Sequence, residues 1–161
     1  MALYPTRNTL PEEIRVQSIN LLGQSLATAI DVQRHAKQAH WNVHGPNFIA
    51  LHLLFDEVHG ASLEWADLCA ERIVALGGTA DGRVEQVART TPLNPYPLQV
   101  KDGAEHVFAL AAALAAFGEQ VRIAIKASAD FDDPTTSDLF TEISRGVDEY
   151  LWKVEAHHRS N

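Results

Sequence analysis

The chain has a single cysteine, Cys69, among 161 residues. An internal disulfide is therefore excluded, and a reducing, cytoplasmic setting is the expectation. Long hydrophobic runs are missing too. No stretch of about 18 consecutive apolar residues occurs, so no membrane span is expected. The opening MALYPTRNTLPEE lacks the basic-then-apolar pattern of a secretory signal. Positive charge is scarce: 13 Lys and Arg stand against 21 Asp and Glu, a formal net charge of -8. That balance opposes the phosphate neutralisation on which non-specific nucleic-acid binding depends, and it suits a surface or cavity that attracts cations. Arg7 is the one basic residue in the first ten, and the closing KVEAHHRSN is only weakly basic. Strand signals are nearly absent. Neither a G-x-S-x-G elbow nor a Gly-rich phosphate loop is present, which leaves hydrolase and nucleotide-binding readings without a motif.

What the chain does contain is ordinary globular material, 46% hydrophobic and 21% charged. Its length suits one compact domain over 1–161, with a short tail over 1–9. Apolar residues recur every three or four positions between breaks at Pro11, Gly45-Pro46, Gly77-Gly78, TTPLNPYPLQVKDG and Asp132-Asp133-Pro134. The spacing predicts a helix capped by Thr9, with Pro11 in its first turn, ending near Val43. A second helix is expected from Pro46 to about Leu76, roughly 45 Å at ~1.5 Å per residue. After a connection of about 25 residues, whose DGRVEQVART half can hold a short helix, further helices are expected over 102–129, with Asp102 as N-cap, and 134–157. Four long helices with one long crossover describe an all-α, ferritin-like bundle.

The second helix carries the chemistry. His52 and Asp56 are four residues apart, as are Asp67 and Glu71, and at 100° per residue all four lie within about 100° of arc. The two pairs are about 22 Å apart along the axis, too far to share one ion. They are, however, mirrored about the point between Ala61 and Ser62: 52 answers 71, and 56 answers 67. Two copies of this helix crossing antiparallel at Gly60-Ala61-Ser62 would face His52 and Asp56 of one chain to Asp67 and Glu71 of the other, twice per dimer. The turn near Pro46 places His40 opposite His52. Two imidazoles and three carboxylates without a thiolate suit iron or manganese better than structural zinc. The plainer alternative is a solvated or salt-bridged helix face. Glu-x-x-His pairs on two helices of one chain, the mark of other di-iron or manganese bundle enzymes, are not found: Lys37, Ile49 and Asp56 precede His40, His52 and His59 by three.

The stretches KQAHWNVHGPNFIALHLLFDEV and DLCAERIVALGG, with TRNTLPEE before and DLFTEISRGVDEYLWKVEAH after, resemble the Dps family (DNA-binding proteins from starved cells), the mini-ferritins. The resemblance implies a hollow homo-dodecamer with ferroxidase centres between two-fold-related subunits. By position the ligands would be His40, His52 and Asp56 from one subunit and Asp67 and Glu71 from the other. It further implies Fe(II) oxidation, preferably by hydrogen peroxide, storage of ferric iron and protection against oxidative damage. Trp41 resembles the family's radical-intercepting tryptophan, with a packed interface indole as the alternative. Asp138 and Asp133 are candidates for an acidic iron-entry pore, although Asp133-Pro134 also suits a plain helix start. The family's DNA-condensing members carry a basic tail that this chain lacks, which argues against DNA binding; a nucleoid-coating protein stands as the alternative function. His35, His44 and His59 raise the local histidine density, with an auxiliary metal site and plain hydrogen bonding as the two readings. His157 and His158 read as surface residues, Cys69 as a buried small apolar one.

Overall fold

The computed structural model describes residues 3–157. Among them are five helices and no strand: α1 (Glu12–Asn42), α2 (Phe48–Ala75), α3 (Val84–Thr90), α4 (Gly103–Asp130) and α5 (Pro134–Glu155). α1 packs chiefly on α2 and α4 on α5, while α1 closes on α4 and on the short α3. The core runs through the middle: Leu22, Leu26 and Val32 of α1, Phe55 and Val58 of α2, Leu110, Leu114 and Phe117 of α4, Phe140 and Ile143 of α5. Each fully buried Leu, Ile or Phe contributes about 1.5–3 kcal/mol, so this seam is what holds four helices together.

Helix ends follow local chemistry, with two departures from expectation. α1 starts after Pro11, with no side-chain cap. Thr9 lies two residues before the cap position, and Pro11, two residues on from Thr9, has no N–H to donate to it. α2 starts at Phe48 rather than Pro46, because Gly45 turns the chain at φ 101° and its carbonyl accepts from Phe48 N–H at 3.0 Å. At its other end Gly77 N–H bonds Val74 O and Gly78 N–H bonds Ile73 O, both at 2.9 Å, the paired closure that a left-handed Gly permits. Asp102 does cap α4, accepting from Glu105 N–H at 3.0 Å.

The N-terminal segment is more than a tail. Tyr4 N–H bonds Gly77 O at 2.7 Å, and Leu3 and Leu10 pack on the core. Helix α4, although no unbroken apolar run marks it, is long and apolar enough by composition to pass for a membrane span. Its apolar character comes from small alanines and from the buried stripe Val107, Leu110, Leu114, Phe117 and Val121, which faces the bundle.

Candidate metal centre

The Gly45 turn folds α2 back along α1 and brings His40 against His52. Their rings stack at 3.7 Å between centroids, 22° from parallel. The contact is reciprocal: His40 Nδ1 bonds the backbone O of His52 at 2.8 Å, and His52 Nδ1 bonds that of His40 at 2.9 Å. A carbonyl only accepts, so Nδ1 carries the hydrogen in both rings. In the neutral imidazole each Nε2 then keeps its lone pair, the tautomer and orientation a metal ligand needs.

One turn beyond His52, Asp56 is about half exposed and pairs with the Lys37 ammonium. The Lys37 hydrogen bond holds the Asp56 carboxyl below the usual range, ahead of a smaller opposing effect of burial. Lys37 was legible in principle: the mirror through the hairpin that sets 40 opposite 52 sets 37 opposite 55–56.

Asp67 and Glu71 are exposed on the same helix. Among the described residues, no three His, Cys, Asp or Glu gather closely enough in one chain to hold an ion. The stripe they occupy is notable for its other members. Ile49, Leu53, Leu63 and Val74 are all 55–62% exposed and share it with Asp56, Gly60, Asp67 and Glu71. An apolar stripe open along a whole helix is the mark of an interaction surface. A cavity of about 650 Å³ lies elsewhere, between the crossover and α4, and none of the five candidate ligands lines it.

A family model for the ferritin-like domain matches residues 19–160. The DNA protection during starvation protein of Agrobacterium fabrum is 41% identical over 157 residues, covering 98% of this chain and 97% of that protein. The chain belongs to the Dps family. Among solved structures, Dps from Microbacterium arborescens in its high iron form superposes with a TM-score of 0.85 at 34% identity, covering 97% of this chain and 98% of that one. DpsC from Streptomyces coelicolor superposes at 0.94 with 28% identity, covering 99% and 94%.

The remaining candidates of this Dps chain fall into distinct places. Asp138 is exposed at the first turns of α5. Asp133, the other pore candidate, is fully buried and caps α5. Ser18 and Thr136 hydroxyls both donate to its Oδ2 at 2.6 Å, and Thr136 N–H and Arg72 both reach Oδ1 at 3.1 Å. Burial pushes this carboxyl up, but the two hydroxyls, the N–H and Arg72 outweigh it and hold it low. With both oxygens engaged inside the bundle, Asp133 acts as the helix cap in the single chain. Trp41 is 65% exposed beside His40. His44 is exposed; His59 Nδ1 bonds Gln33 O at 3.3 Å. His35 is buried, its Nε2 3.6 Å from Asp31 and its ring edge-on to Tyr96. His157 is exposed, and His158 lies outside the described residues. Cys69 is fully buried, and burial pushes its thiol up to about 12. The contact that the sequence did not suggest is Tyr96 Oη to His106 Nδ1, at 2.6 Å.

Proposed function

We propose that this protein is a ferroxidase and iron-storage cage. Fe(II) is the substrate, hydrogen peroxide the preferred oxidant, and ferric iron the stored product inside a homo-dodecamer built from two-fold dimers. The observation that carries the reading is the locked imidazole pair beside Asp56, on an exposed stripe of α2 whose far end presents Asp67 and Glu71 in mirror register. An antiparallel partner copy would cover the apolar residues of that stripe and complete each site with two carboxylates.

The residues fit the chemistry in turn. His40 and His52 offer Nε2 lone pairs to Fe(II), which imidazole suits. Their Nδ1–H bonds to backbone carbonyls fix the ring planes, so binding costs little reorientation. Asp56, Asp67 and Glu71 stabilise the harder Fe(III) and so favour electron loss. All three are exposed in the single chain, and mobile carboxylates can pass the oxidised ion to a mineral surface. Lys37 holds Asp56 ionised until a metal displaces it. Asp138 is the residue we assign to iron entry, and Trp41 the one to interception of stray radicals. The net charge of -8 favours iron over DNA as the partner, and the setting we assign is the cytoplasm.

The test is oxidation of Fe(II) by the assembled protein, anaerobically with peroxide and then in air, beside the His52→Ala/Asp56→Ala variant. Fast oxidation with peroxide, slow in air, and loss of both in the variant is the expected result. Rates equal to the protein-free control in both proteins would overturn the assignment and bring the DNA-coating reading forward.

A further inference from the structure

Tyr96 sits on the extended crossover and reaches across to α4. Its hydroxyl meets His106 Nδ1 at 2.6 Å, short for a phenol–imidazole hydrogen bond. His106 is 2% exposed. The two rings lie 6.1 Å apart and 23° from parallel, and His35 packs edge-on to Tyr96 at 5.3 Å. The Asn42 carbonyl also faces the His106 ring. Asn42 is the last residue of α1, one position from Trp41 and two from His40, so the pair is tied to the turn of helix that carries the candidate centre.

A tether for the crossover needs only one hydrogen bond, and Thr91 already supplies one to Asp31 at 2.7 Å. The half-buried phenol, with a buried base held against it, does something a tether does not require. Losing an electron makes a phenol strongly acidic, so its oxidation is easy only where a base takes the proton at the same moment. Here the base is in place. Burial raises the Tyr96 hydroxyl and lowers His106, so the proton rests on the phenol beforehand. After transfer, the imidazolium has Asp102 and Glu105 to favour it and His44 against it. Among the described residues neither Tyr4 nor Tyr150 has a hydrogen-bond partner for its hydroxyl, and Tyr4 is 65% exposed.

We propose that Tyr96 and His106 form a proton-coupled electron donor, in which the Tyr96 hydroxyl gives one electron to a one-electron oxidant of the hydroxyl-radical class and its proton to His106 Nδ1. The proposal rests on the iron-and-peroxide reading, which supplies that oxidant. In the step the O–H bond of Tyr96 breaks and an N–H bond forms on His106. Hydroxyl radical takes the electron and becomes hydroxide; the products are a neutral tyrosyl radical and an imidazolium. One further Fe(II) restores the pair: it gives an electron to the radical, becomes Fe(III), and the proton returns from His106. An incomplete, one-electron reduction of peroxide would thus end in ferric iron rather than in damage to an exposed residue.

The test is electron paramagnetic resonance of the assembled full-length protein, frozen after mixing with Fe(II) and peroxide. A parallel arm uses flash photo-oxidation by ruthenium tris-bipyridyl with persulfate, which supplies a one-electron oxidant without iron. Tyr96→Phe keeps the ring and its edge contact with His35, and Tyr150→Phe is the control. His106→Gln keeps an acceptor for the hydroxyl but removes the base. A tyrosyl signal in wild type under both oxidants, lost in Tyr96→Phe, retained in Tyr150→Phe and diminished in His106→Gln, is expected. A signal undiminished in Tyr96→Phe, or absent from photo-oxidised wild type, would overturn the proposal. A Tyr96 signal under photo-oxidation with no protein-dependent Fe(II) oxidation would support the pair while sinking the iron reading.

Discussion

A buried carboxylate and a buried thiol make opposite demands on their surroundings, and Asp133 and Cys69 show both. Asp133 stays ionised because four donors converge on it. Replacing it by alanine strands Arg72, Ser18 and Thr136 and is expected to cost about 3–5 kcal/mol, read as a lowered thermal midpoint. The sign with pH follows from its lowered carboxyl. The stabilisation is complete above the ordinary aspartate value of about 3.9 and fades as pH falls through the lower folded value. The difference in midpoint between wild type and Asp133→Ala should therefore be constant at neutral pH and shrink in acid; a difference that grows below pH 4 would contradict this account. Cys69 has no such donors. Its thiol, raised to about 12 by burial, should not react with a disulfide reagent at neutral pH until denaturant is added.

The helix ends and turns are where one residue governs an element. Gly77 closes α2 at φ 86°, and a Cβ there would lie 2.7 Å from the carbonyl of Tyr4. Gly77→Ala should lose about 1–2 kcal/mol from backbone strain alone, and more if the N-terminal segment is displaced. Limited proteolysis near residue 10, alongside thermal unfolding, separates the two contributions. The same element shows how far the sequence could be read. Gly77-Gly78 announces the end of α2, because a left-handed closure is a local event. Thr9 misleads because residue type alone suggests a cap, whereas the missing N–H of Pro11 decides where α1 begins. Asp133 has two plausible roles as a sequence feature; only the arrival of Ser18 from α1 and Arg72 from α2 buries it.

At the scale of the whole molecule, the prediction is that the sites belong to pairs of chains. A Cβ added at Gly60 would meet nothing within 4 Å in its own chain, yet Gly60 lies at the expected crossing of two copies of α2. Gly60→Leu should keep its helical content by circular dichroism and fail to assemble by sedimentation, losing Fe(II) oxidation with assembly. Complementation is the sharper measurement. Mixed assemblies of His52→Ala/Asp56→Ala with Asp67→Ala/Glu71→Ala contain dimers with one fully native site and one site reduced to His40 alone. Each variant alone should be inactive, and the refolded mixture should recover activity. Inactivity of the mixture, with mixed assembly shown by mass spectrometry, would mean that the five ligands do not divide between two chains as proposed.

Period, turn residues and spacing are properties of neighbouring positions, so the sequence by itself determined the helices, the long crossover and the mirrored pairs on α2. The stacking of His40 on His52 was half determined, since the hairpin sets them opposite but not which ring nitrogen faces which carbonyl. Tertiary structure alone decided the rest: the burial of Asp133 and the meeting of Tyr96 with His106. Each of these depends on where two separately folded segments come into contact in space. A charge or a phenol carries no mark in the sequence of the partner that packing will bring to it.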